Sequence, residues 1–191
     1  MKIILASKSP RRKVILEHYG YDVVVDVSNV DEDKTKHTDV KKLVMDLAEQ
    51  KAKAVLPKHK NSIVVAADTL VYFNGQQIGQ QDTPEAAEKT IKQMLGKTHE
   101  VYSGVCVINP ITGSVVIDYD ISKVKLNKVS DDELKKYIES GQYKGKAGAY
   151  NISDPQFKSF VGGVDGCKFN ILGLPIDKVQ LMIMEAKSGF K

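Results

Sequence analysis

A chain of 191 residues with 42% hydrophobic, 27% charged and 7% aromatic residues has the balance of a globular domain, long enough to bury a core without staples, and its composition is not that of a disordered segment. The net charge of +4 is spread through segments such as Lys51-Ala52-Lys53 and Lys58-His59-Lys60, so it forms no concentrated nucleic-acid footprint. The two cysteines, Cys106 and Cys167, lie far apart without Cys/His ligand spacing, which leaves no disulfide framework or structural zinc site, and no run approaches the ~20 apolar residues of a membrane span.

In chain order, Lys2 to Ala6 reads as a strand that turns polar at Ser7, and Val14, Ile15, Leu16 and Tyr19 follow as a helix ending at Gly20. Val23 to Val27 is β-branched and predicts a second strand, followed by a polar loop from Asn29 to Asp39. A long amphipathic helix spans Val40 to Leu56, with Leu43, Val44, Leu47, Ala48, Ala52 and Val55 on one face and Pro57 stopping it. Ile63 to Ala67 is a buried-type strand running into Asp68-Thr69, and Leu70 to Phe73 leads to the hairpin pair Asn74-Gly75.

Thr83, Pro84 and Gly96 bound a helix from Pro84 to Leu95. Strands Val101 to Ile108 and Ser114 to Leu126 follow, and the capping box Ser130-Asp131-Asp132-Glu133 opens a helix to Ser140. Glycines make Gly141 to Gly173 the least regular stretch, and Pro175 to Lys187 closes the chain as an amphipathic helix. This order predicts an α/β fold with a mixed twisted sheet flanked by helices, in a single domain over residues 1–191 and in a reducing, cytoplasmic setting.

Of 28 basic residues only Arg11 and Arg12 are arginines, and they are neighbours. A guanidinium presents a planar fork that holds two oxygens of a phosphate, which lysine cannot imitate. In Ser7-Lys8-Ser9-Pro10-Arg11-Arg12, Ser9 is placed to cap the following helix, so its free N–H groups and positive dipole end sit beside the arginines. The segment reads either as a polyphosphate site or as a capped surface helix with solvated arginines.

Asp68 closes an apolar strand, where a carboxylate either faces a functional site as base or metal ligand, or starts a turn. Asp31-Glu32-Asp33 is a second acidic cluster or a solvated loop, and Lys51 read alone belongs on a solvated helix face. Gly96-Lys97-Thr98-His99 lacks the upstream glycine of a P-loop.

Together the motifs Leu5-Ala6-Ser7-Lys8-Ser9-Pro10-Arg11-Arg12, Asp31-Glu32, Leu47-Ala48 with Lys51-Ala52, Ala67-Asp68-Thr69, Gly96 to Gly104, Gly145-Lys146-Ala147-Gly148-Ala149-Tyr150 and Leu172-Gly173-Leu174-Pro175 resemble, in order, the Maf family of nucleoside triphosphate pyrophosphatases. The resemblance implies two lobes with a central cleft, similar to inosine triphosphate pyrophosphatase, and a homodimer. It implies hydrolysis of a nucleoside triphosphate between its α and β phosphates with a divalent metal, Mg²⁺, Mn²⁺ or Co²⁺.

By the same resemblance, Asp68 is the proton acceptor and shares the metal with Glu32. Ser7, Ser9, Arg11, Arg12, Lys51, Thr69, Lys97 and Ser153 bind substrate. Arg11 and Thr69 resemble the branch acting on dTTP and UTP; 7-methyl-GTP hydrolysis, or nucleotide binding with weak or lost turnover, are the alternatives. No membrane or nucleic-acid partner is implied. The chain departs from the family pattern where Gly79-Gln80-Gln81 replaces Gly-Lys-Pro, and where Ser153-Asp154 replaces a glutamine and a glycine.

Overall fold

The computed structural model describes residues 2–189. Strands β1 (Lys2–Leu5), β2 (Asp22–Val25), β3 (Ile63–Phe73), β4 (Gln76–Ile78), β5 (Thr98–Asn109), β6 (Ser114–Leu126) and β7 (Val161–Asp165) form one seven-stranded sheet. Its path is β2-β1-β3-β5-β6-β7, with β4 paired to β3. The sheet is mixed, as its pattern predicts: β1 runs parallel to β2 and to β3, whereas β3–β4 and β6–β7 are antiparallel. The α-helices are α1 (Pro10–His18), α2 (Val40–Val55), α3 (Pro84–Met94), α4 (Asp131–Glu139), α5 (Lys168–Ile171) and α6 (Ile176–Ser188).

The chain divides into two compact units. The first comprises the chain to Asp68, Ser103–Asp120 and the chain from Gly173 on; the second comprises Thr69–Tyr102 and Ile121–Leu172. In the first, Ala48, Ala52 and Val55 of α2 pack on Ile4 of β1, Val64 and Ala66 of β3, and Cys106 and Ile108 of β5. Small residues here let helix and strand approach closely, and Gly104 on β5 is the extreme case. A Cβ built on it would lie 2.1 Å from the carbonyl oxygen of Val44 and 2.6 Å from the amide nitrogen of Met45. The backbone of α2 is thereby set against β5, which fixes where every side chain on α2 points.

The second unit has its own core of aromatic and aliphatic side chains, including Val71, Ile91, Leu126, Tyr137, Tyr150, Phe157 and Phe160. Tyr150 stacks on Phe157, and Phe157 on Phe160, with centroid separations of 4.8 and 4.5 Å. The predicted capping box is present: Glu133 N–H donates to Ser130 Oγ, and Ser130 N–H to Glu133 Oε2. Thr83 caps α3 through Ala86 N–H. Asn74 and Gly75 both take positive φ, 49° and 78°, as the tight hairpin requires.

Three expectations are corrected. Asp68 does not end a strand, because β3 runs unbroken from Ile63 to Phe73 and the β-branched Thr69 continues its extended backbone. Ser9 occupies the N-cap position of α1, but its side chain makes no capping bond; its own N–H donates instead to Ser7 Oγ, 3.1 Å away. The irregular stretch Gly141 to Gly173 contains a 3-10 turn (Pro155–Phe160), β7 and α5, which its glycines concealed. Both cysteines are free, and among the described residues no helix is long and apolar enough to cross a membrane.

Candidate active site

The Glu32 turn, α2 and β3, all in the first unit, each deliver one charged side chain to a common place. Lys51 lies on the apolar face of α2, four residues after Leu47 and three after Ala48, so helical geometry buries it rather than presenting it to water. A buried ammonium requires an anionic partner. Lys51 Nζ lies 2.5 Å from Oδ1 of the equally buried Asp68 and 2.8 Å from Oε1 of Glu32. Glu32 is the exposed member, carried on a 3-10 turn (Glu32–Lys34).

The Ser7 hydroxyl organises the segment that follows β1. It accepts from Ser9 N–H and, at 3.0 Å, from Arg12 Nη1, while Arg12 Nε donates to the carbonyl of Gly173 at 2.8 Å. Burial lowers the affinity of the Arg12 guanidinium for its proton, and the charge of Arg11 acts in the same direction. The charges of Asp68 and Glu32 oppose them, so Arg12 sits within electrostatic reach of both carboxylates and remains a cation. Ser9 Oγ is buried with no hydrogen-bond partner among the described residues, an acceptor or donor left for something else.

The acidic turn is tethered to α2. Gln50 Nε2 donates to Thr35 Oγ1 and to Asp46 Oδ1, both at 2.9 Å, and His37 Nε2 meets Asp46 Oδ2 at 2.9 Å. The Gln50 bond first, then that of His37, hold the Asp46 carboxyl below the usual carboxylate range.

Of the residues expected at the site, Ser7, Ser9, Arg11, Arg12, Glu32, Lys51 and Asp68 fall in the first unit. Thr69, Lys97 and Ser153 fall in the second. There Lys97 Nζ donates to the Gln93 carbonyl at the end of α3 and lies over the Phe73 ring, and the exposed Ser153 donates its N–H to Asn151 Oδ1. Gln80 forms an isolated bridge with Ala147, next to the buried Lys146, whose ammonium pairs with Asp154. Sequence reasoning gave Lys146 and Asp154 no partner role, because the glycine-rich stretch has no period that would bring them together. Nor did it foresee the Gly173 carbonyl as the acceptor for Arg12; the arginine's need for acceptors was the available signal.

Among the described residues, no group of three or more His, Cys, Asp and Glu side chains is disposed to hold a metal. Asp68 and Glu32 are nevertheless hard oxygen donors joined through one lysine. Two carboxylates of this kind suit Mg²⁺ or Mn²⁺ when phosphate oxygens and water complete the shell.

The sequence profile of the Maf-like protein family matches residues 2–186. The chain is 41% identical over 181 residues to a dTTP/UTP pyrophosphatase of Clostridium perfringens, covering 94% of each chain. It is 41% identical over 177 residues to a dTTP/UTP pyrophosphatase of Pyrococcus furiosus, covering 92% of this chain and 90% of that one. A dTTP/UTP pyrophosphatase of Caldicellulosiruptor bescii is 36% identical over 189 residues, with 96% and 94% covered. Among solved structures, a Ham1 protein from Coxiella burnetii matches with a TM-score of 0.49 at 12% identity, over 97% of this chain and all of that one.

Proposed function

Since the chain belongs to the Maf-like family, we propose that it hydrolyses dTTP and UTP, or related modified nucleotides, to the monophosphate and pyrophosphate. The observation that carries this reading is the joining of Asp68, Lys51 and Glu32 beside the Arg12–Ser7 segment, all within one unit. Phosphoryl chemistry of this type is catalysed mainly by positioning and by neutralising charge, and these residues supply both.

Arg11 and Arg12, with the amides that open α1 and the Ser9 hydroxyl, bind phosphate oxygens. Asp68, oriented by the ammonium of Lys51, accepts the proton of the attacking water. Asp68 and Glu32 would hold the divalent metal, which when bound draws charge from the phosphate oxygens. By the family resemblance, Thr69, Lys97 and Ser153 also contribute to substrate binding. The same reading takes the enzyme to be a cytoplasmic homodimer, supported by the resemblance.

The test is pyrophosphate release from a panel of canonical and modified triphosphates with Mg²⁺ or Mn²⁺, for the unaltered protein beside Asp68→Asn. Release from dTTP and UTP that Asp68→Asn abolishes, with nucleotide binding retained, is the expected result. No release from any nucleotide of the panel would overturn the reading.

A further inference from the structure

Glu32 is the one carboxylate of the site that the sheet and helices do not hold. It sits on a turn in the polar connection between β2 and α2, and the residues from Asp31 to Lys34 are all exposed. A ligand on such a segment needs an anchor if it is to meet Lys51 and a cation in one geometry.

The structure contains that anchor as a closed ring. Lys51 Nζ meets the Glu32 carboxylate; the Glu32 carbonyl accepts the Thr35 N–H at 3.1 Å; the Thr35 hydroxyl meets the Gln50 amide; and Gln50 is bonded in the chain to Lys51. The Gln50 amide is itself fixed by Asp46, one helical turn earlier, and Asp46 takes a second contact from His37 on the same connection.

We propose that Thr35 and Gln50 are positioning residues for the reaction, acting through Glu32: their hydrogen-bonded pair holds the acidic turn against α2 and so presets the metal-binding carboxylate. The inference rests on the reading of Glu32 as a metal ligand. Neither residue touches the substrate. Groups that orient a metal-ligating carboxylate commonly govern metal affinity about as strongly as some ligands do, by roughly tenfold or more.

The experiment measures Mn²⁺ affinity of the purified full-length protein by electron paramagnetic resonance of the free ion, with the non-hydrolysable α,β-methylene analogue of dTTP present. The variants are Thr35→Val, Gln50→Leu, the double variant, Thr35→Ser and Glu32→Gln. Thr35→Val and Gln50→Leu are each expected to raise the dissociation constant roughly tenfold, the double variant no more than either alone, and Thr35→Ser, which keeps the hydroxyl, to stay within about twofold of the unaltered protein.

Weakening by Glu32→Gln with unchanged affinity in Thr35→Val and Gln50→Leu would overturn the clamp while leaving the site reading intact. Equal weakening in Thr35→Ser and Thr35→Val would also overturn it, since the hydroxyl would not be the cause. Unchanged affinity in Glu32→Gln would remove Glu32 from the metal site, and the clamp with it.

Discussion

Arg12 shows how one side chain can be committed before any ligand arrives. Its Nε and Nη1 donate to the Gly173 carbonyl and the Ser7 hydroxyl, and the two bonds orient the plane of the guanidinium. Lysine has no plane to orient and replaces the fixed fork with a single point charge. Arg12→Lys is therefore expected to lower kcat/KM for dTTP by about a hundredfold, equivalent to about 2.7 kcal/mol of lost transition-state stabilisation, in steady-state assays of pyrophosphate release. The arginine pair was legible in the sequence because its composition is anomalous, and Asp68 because a carboxylate interrupts an apolar strand. Lys51 and Glu32 were legible only through the family resemblance. A lysine is ordinarily solvated and an acidic run ordinarily a loop, and only their contact across the fold shows otherwise.

At the scale of the element, α2 is the component on which the site depends, since it carries Lys51 on its buried face and Gln50 beside it. Its position is set by the missing side chain at Gly104. Gly104→Ala would drive a methyl group into the α2 backbone, which cannot give way as a flexible side chain would. The expected cost is about 1–3 kcal/mol, read as a fall of several degrees in thermal midpoint, together with reduced activity because Lys51 moves with its helix. Gly163→Ala on β7, where a Cβ meets nothing within 4 Å, is the control and is expected to change the midpoint little. Helix and strand positions were largely readable from periodicity and caps. One exception has a plain physical cause: β7 was hidden because Gly162 and Gly163 give no apolar alternation.

At the scale of the whole molecule, stability carries a pH dependence that originates at a buried histidine of the second unit. β3, β5 and β6 each contribute residues to both units, so neither unit is a continuous piece of chain that could be removed intact. Within the second, His99 is 2% exposed, its Nε2 lies 2.6 Å from the Tyr150 hydroxyl, and its Nδ1 is buried without a partner among the described residues. Burial pushes its pKa down from 6.5 to about 4, and burial likewise pushes the Tyr150 phenol above its usual value. The folded protein therefore binds a proton at His99 less readily than the unfolded chain does. Stability is full above the unfolded value, declines as the pH falls from about 6.5, and stops declining below about 4. Between pH 7.5 and 5 the loss from this residue is about 2 kcal/mol. Urea unfolding at those two pH values should reveal it as a lowered midpoint. His99→Gln, which can still bond the Tyr150 hydroxyl but cannot titrate, should lose markedly less stability over the same interval, even if it begins less stable. Equal losses in the two proteins would assign the acid sensitivity to other groups and leave His99 as a neutral hydrogen-bonding partner of Tyr150.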